Sequence, residues 1–151
     1  MNFFKVSHTV HIALSAFLWS FFGIDMNYVA SKWLFYFENE VKIYLIIIGV
    51  LLGLSMAIFL FSKIVKRNIN RIKKLPERSN ILLFQSLKSY ILIAFMISLG
   101  ITMRKSGLVP VYILCPMYIT IGVALFISGC IYYKELVKRK IFHKKIGFKN
   151  L

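Results

Sequence analysis

The stretch QSLKSYILIAFMISLGITMRKSG, residues 85–107, holds a run from Tyr90 to Met103 that is apolar enough to sit in lipid. That run is too short to cross, because a helix needs about 20 residues to traverse a bilayer core. To reach spanning length it must take in Gln85, Lys88 and Ser89, which places a lysine where hydrocarbon should be. With this segment counted, over about 81–103, the chain has four crossings.

The other three lie on either side of it. The first apolar block, about Val10 to Gly23, follows Lys5 and continues toward Val29, giving a helix over about 8–29. A signal peptide is the alternative, but the only small-residue site nearby is Ala30, with bulky Tyr28 two positions before it, a poor cleavage site. Next, IDMNYVASKWLFYFENE (24–40) combines Asp25, Glu38 and Glu40 with Trp33, Phe35, Tyr36 and Phe37. Rings with a polar edge settle at the headgroup level, so this segment reads as an interfacial anchor on the outer surface, with a lid as the alternative.

The second crossing, 41–65, contains YLIIIGVLLGLSMAIFLF without a charge. Gly49, Gly53 and Ala57 recur on one face of it and form a stripe that lets another backbone approach closely. We read this stripe as helix packing, with self-association as the alternative. The loop KIVKRNINRIKKLPERSN then sets Lys63, Lys66, Arg67, Arg71, Lys73, Lys74 and Arg78 before the third crossing, and Pro76 marks a turn. The fourth crossing runs over about 108–133 with Pro110 and Pro116 in its first turns, which implies a kink near Cys115. Residues 134–151 form a basic tail in which Ile141, Phe142, Ile146 and Phe148 interleave with lysines, as in a segment lying along a membrane surface. No linker divides the chain, so residues 1–151 form a single membrane domain.

Composition agrees with this reading. Hydrophobic residues make up 59% of the chain, against about 45–50% in ordinary soluble domains. Twenty basic residues face five acidic ones, a balance that could suggest nucleic acid. A nucleic-acid surface needs those charges on one face with groove-reading or stacking elements. Here they lie between and after apolar blocks, where cytoplasmic loops of membrane proteins are basic, so no nucleic-acid partner is expected. With both ends in the cytoplasm, fifteen basic residues fall inside and four (Lys32, Lys42, Arg104 and Lys105) fall outside. The positive-inside rule therefore predicts an all-α, four-crossing protein with N- and C-termini inside.

Lys88 lies roughly 10 Å along a third helix that starts near Ile81. There its ammonium can snorkel to the headgroups without any function. The competing reading rests on Gln85 and Ser89, which share its face at i, i+3 and i+4. Ala94, Ser98 and Thr102 form a separate small-residue stripe, as on a helix inside a bundle. A buried ammonium needs an acid or an anion. The only acid nearby on that side is Glu77, so Gln85, Lys88 and Ser89 are candidate contacts for a lipid phosphate or a lipid-linked phosphate.

Catalytic chemistry is missing from the pattern. No predicted apolar block contains Asp or Glu, which disfavours a proton-coupled exporter. His8 and His11 share a face but lack further metal ligands nearby. Cys115 and Cys130, in one helix, stand roughly 22 Å apart, too far to bridge. There is no phosphate-binding glycine loop, nucleophile motif or metalloprotease signature, so neither an enzyme nor a cofactor is expected.

From Arg67 to Tyr133 the chain resembles a family of small bacterial multi-pass membrane proteins without assigned activity. The resemblance is carried by N-I-N-R-I at 68–72, K-S-Y at 88–90, M-I-S-L-G-I ending at Ile101, R-K-S at 104–106 with Pro110, and G-V-A-L at 122–125. It implies a four-crossing membrane fold and carries over no site. Fifteen lysines to five arginines, with abundant Ile, Phe and Asn, suggest an AT-rich bacterial genome and hence the bacterial inner membrane.

The functional expectation is a non-enzymatic accessory or scaffold subunit. Lys66, Arg67, Arg71, Lys73, Lys74, Lys138, Arg139 and Lys140 would contact anionic lipid headgroups or grip an acidic partner, with another membrane protein or a second copy as the companion. A small channel or transporter for an anion or lipid-linked phosphate, using Lys88, is the alternative. A holin-like pore former is third.

Overall fold

The computed structural model describes residues 5–76 and 79–149; the side chains of residues 5, 84, 88, 92, 99 and 143–149 lie outside that description, as do Glu77 and Arg78. Nearly all of the described chain is helical. Helix α1 spans His8–Leu34. Helix α2 (Asn39–Met56), a π-helical turn (Ala57–Phe61) and α3 (Ser62–Lys73) form one continuous rod. After a short 3-10 turn at Ile81–Phe84 come α4 (Leu87–Ser106) and α5 (Val111–Lys149). Among the described residues three helices are long and apolar enough to cross a membrane: His8–Leu34, Asn39–Lys73 and Val111–Phe142.

Helix α5 is the hub. It packs most extensively against α1 and next against α2. The α1–α5 contact is antiparallel, because Gly23 lies against Gly122 and Phe126 while Ala16 and Ser20 lie against Gly129. Near the other end of the interface the Cys115 thiol points to the carbonyl of Ala30, 3.7 Å away. Ala16, Ser20, Gly23, Asn27 and Ala30 alternate steps of four and three, so they form one small-residue face on α1. The α2–α5 contact is parallel: Gly49 meets Pro116 and Ile119, and Gly53 meets Thr120 and Val123. Thr120 Oγ1 donates to the Gly49 carbonyl at 3.2 Å, a bond open only because the glycine brings that backbone close.

The π turn has a geometric role. A row of residues spaced by four drifts about 40° per step around an α-helix. Gly49, Gly53, Ala57, Phe61 and Val65 form such a row, and all five are buried. The wider π turn takes back part of the drift, so one inward face runs on from α2 into α3. Phe61 then meets Trp19 edge-on, with ring centroids 5.6 Å apart.

Helix α4 runs antiparallel to α5, with Tyr118 of α5 donating to the Gly100 carbonyl at 3.1 Å and Ser89 lining a crevice beside Leu125. It is the least closely packed of the helices among the described residues. Gly107 ends it in a left-handed conformation (φ 64°), and a Cβ added there would meet nothing within 4 Å. Gly107→Ala is therefore expected to cost only the backbone strain, about 1 kcal/mol, read as a small drop in the unfolding midpoint in detergent.

Several boundaries differ from the sequence reading. The third apolar helix begins at Leu87, not Ile81, because the Ser86 side chain accepts from the Ser89 amide and caps it. Gln85 is in extended backbone outside the helix, so Gln85, Lys88 and Ser89 do not share a helical face. Lys88 sits in the first turn of α4 rather than part-way along a crossing, and its side chain lies outside the description. Helix α1 continues five residues past Val29, to Leu34, since nothing between Asp25 and Leu34 breaks it. It carries one carboxylate, Asp25, exposed in its far half. The segment expected on the outer surface shrinks to the turn after Leu34, where Phe35 and Tyr36 are exposed. Finally, α5 starts after Pro110, whose carbonyl accepts the Ile113 and Leu114 amides, and runs unbroken to Lys149. A tail lying flat on a membrane would need a break near Lys134, and the helix has none there.

Candidate functional site

The charged end of the bundle is built around the residues that lead into α1. Strand β1 (Lys5–Val6) pairs antiparallel with β2 (Ser79–Asn80), in the register Lys5 with Asn80 and Val6 with Ser79. Two histidines secure this junction. His8 Nε2 lies 2.9 Å from the Leu75 carbonyl and 3.1 Å from that of Pro76. His11, fully buried, has Nδ1 2.9 Å from the Ser7 carbonyl and Nε2 2.9 Å from that of Asn80. Their ring nitrogens are thus engaged with backbone, and the described residues contain no group of three His, Cys, Asp or Glu side chains that could hold a metal.

Helix α3 sorts its residues by face. Val65, Asn68, Ile69 and Ile72 are buried at the spacing of an inward stripe, whereas Lys66, Arg67, Lys73 and Lys74 are exposed. Asn68 is a polar residue in an apolar stripe, and a buried amide must be satisfied by the groups packed against it. Its Oδ1 accepts from Arg71 Nε at 3.3 Å and Arg71 Nη2 at 3.2 Å. Its Nδ2 donates to Gln85 Oε1 at 2.5 Å and to the Tyr132 hydroxyl at 3.0 Å. Tyr132, fully buried on α5, is also hydrogen-bonded to Ser15 of α1. One amide therefore ties together α3, the segment before α4, and α5, which reaches α1 in turn.

Arg71 departs from the other basic residues of α3. It is half-buried, and its Nη2 also donates to the Leu83 carbonyl at 2.6 Å. The two ion pairs of the described residues lie elsewhere: Glu135 takes Lys73 at 2.7 Å and Arg139 at 3.9 Å. Lys138 and Lys140 are exposed on α5.

Beside this network an open cleft of about 830 Å³ is lined by Arg71, Asn80, Ile81, Leu82, Leu83, Gln85, Leu87 and Tyr90. Tyr90 donates its hydroxyl to the Leu82 carbonyl at 3.0 Å, which holds the 3-10 turn against the start of α4. A second, wholly apolar crevice of only about 30 Å³ lies between α1 and α4 and is walled by Trp19, Phe22, Phe61, Ile93 and Met96 among others.

Gln85 and Ser89 are both buried here, yet they bond to different partners: Gln85 to Asn68, and Ser89 to Ser86 at 2.8 Å. The sequence reading passed over Asn68 and Tyr132, and treated Arg71 as one more surface charge. The signal available was the period of α3, where Asn68 occupies an inward position and Arg71 lies one turn beyond it. The chain matches no protein-family model, no curated protein and no solved structure.

Proposed function

We propose that the chain is a four-crossing protein of the bacterial cytoplasmic membrane, with both termini inside, and that it serves as a non-enzymatic accessory subunit whose basic end holds an anionic surface. The fourth crossing is α4, whose 20 residues and antiparallel course beside α5 suit a span. The observation that carries the function is the segregation of charge at one end. Lys66, Arg67, Lys73 and Lys74 point outward from α3, and Lys138 and Lys140 from α5, with Glu135 as the one described acid among them. Each such residue near an anionic leaflet contributes about 1 kcal/mol.

Helix α5 adds a second surface. Its 39 residues extend about 58 Å, longer than the ~40–45 Å of a bilayer with headgroups. The last turns therefore project into the cytoplasm, carrying exposed Val137, Ile141 and Phe142 between basic residues, a face suited to an acidic partner. A fluorescent-protein fusion at the C-terminus is expected to fold and fluoresce inside the cell. Extraction in mild detergent should then co-purify a stoichiometric partner that is lost on replacing Lys138, Arg139 and Lys140 with glutamine. A C-terminus outside would overturn the topology, and a lone protein unaffected by the replacements would overturn the accessory role.

A second reading, a small transporter for an anion or lipid-linked phosphate, is favoured by one observation: the cleft holding Arg71 and Gln85 opens at the same end.

A further inference from the structure

The amides at this cleft can be oriented without ambiguity. A guanidinium only donates, so the atom of Asn68 facing Arg71 is Oδ1. Nδ2 then faces Gln85, so the Gln85 atom it meets must be the acceptor, Oε1. That leaves Gln85 Nε2 buried, with no acceptor among the described residues, on a residue only 2% exposed. Burying a donor in this state costs about 1–3 kcal/mol unless something accepts from it. Arg71 is likewise incompletely used: Nε and Nη2 are bonded, and no carboxylate pairs with it among the described residues. Arg71 and a glutamine with an uncommitted amide donor thus line one cleft. The rest of its wall is largely apolar, with Leu82 and Leu87 more than 70% exposed, at 73% and 76%.

We propose that this cleft binds the phosphate of an anionic phospholipid. The Arg71 guanidinium and Gln85 Nε2 donate to its oxygens, and its acyl chains leave over Leu82, Leu83 and Leu87. An anion answers the two donors, and only an anion bearing apolar chains makes use of the leucines. Asn68 and the Leu83 carbonyl hold the guanidinium in place before the ligand arrives, so less side-chain freedom is lost on binding than at an exposed lysine. The inference rests on the function proposed above only in placing this end at the cytoplasmic headgroups.

The test uses the full chain in mild detergent and native mass spectrometry, with dioctanoyl phosphatidylglycerol, dioctanoylglycerol and inorganic phosphate as probes. One phosphatidylglycerol should be retained per chain, with the phosphate-free diacylglycerol and inorganic phosphate each at least about tenfold weaker. Arg71→Met should reduce retention about ten- to a hundredfold. Gln85→Glu keeps the bond from Asn68 while turning the spare donor into an acceptor, and should weaken binding similarly in a protein that still elutes as a single monodisperse peak on size-exclusion chromatography. The double replacement Lys63→Gln/Lys134→Gln removes more charge away from the cleft and should leave retention intact. Equal binding of diacylglycerol would reduce the cleft to an apolar groove, and equal binding of free phosphate would remove the lipid; either overturns the proposal. Equal loss in the Lys63/Lys134 variant would overturn the site while leaving general lipid contact standing. No lipid on a protein that still brings down its partner would overturn the site and spare the accessory role.

Discussion

Gly23→Leu is expected to prevent the bundle from assembling. A side-chain carbon at Gly23 would lie 2.7 Å from the Phe126 amide nitrogen and 2.9 Å from the Gly122 carbonyl oxygen. Both neighbours are backbone of α5, so neither can swing aside, and relief requires the two helices to separate. Overpacking costs about 1–3 kcal/mol where side chains can adjust, and this site belongs at or above the top of that range. Separation would also break the close approach on which association in lipid depends, since apolar burial offers little drive there. In size-exclusion chromatography of detergent extracts, Gly23→Leu should lose the monodisperse peak, and Gly23→Ala should lower the unfolding temperature. Gly100→Ala is the control. Its neighbour is the tip of the Tyr118 side chain, 2.9 Å away, which can move. A monodisperse Gly23→Leu protein with the parent's unfolding temperature would refute the α1–α5 interface as described.

The second large effect falls on Asn68. Asn68→Leu removes the acceptor of Arg71 and the donor to Gln85 and Tyr132 in one step. Each buried polar group left unpaired costs about 1–3 kcal/mol, and a charged one more, so a total of about 3–5 kcal/mol is expected. Combining it with Gln85→Leu should restore part of the loss, because removing both members of a buried pair is far less damaging than removing one. The double-mutant cycle, measured by unfolding in detergent, would therefore show coupling well above 0.5 kcal/mol, the level about which independent sites add. Additive effects would mean that Asn68 and Gln85 do not act on each other.

Hydropathy was enough to locate the long apolar helices. The uncharged run from Tyr44 to Phe61 permits no other reading, and its glycines could be placed on one face from spacing alone. Their partner could not, because the stripe on α2 says nothing about which helix it meets. The matching row on α1 is present in the sequence but straddles Gly23, where the apolar block ends, so a reading based on apolarity stopped half-way along it. The start of α4 was missed for a similar reason. ILLF is as apolar as any helix interior, and only the cap chemistry of Ser86 and Ser89 shows that the chain turns before the helix begins. The length of α5 follows from propensity: between Tyr133 and Gly147 there is no proline or glycine, and Lys, Arg, Glu and Leu all favour a helix. The polar network was the least legible part, because hydrogen bonds between Asn68, Gln85 and Tyr132 join positions up to 64 residues apart.

The central place of α5 has a consequence for biosynthesis. The segment that binds α1 to α2 is translated well after both of them. At about 5–20 residues per second, the ribosome needs roughly 6–23 s to proceed from Leu34 to Lys149. Throughout that interval the glycine face of α1 has no docking partner, and α1 and Asn39–Met56 share little interface of their own. A chain released before Val111 would therefore leave two inserted hairpin arms with nothing to hold them together, a substrate for quality-control proteolysis rather than a smaller working protein.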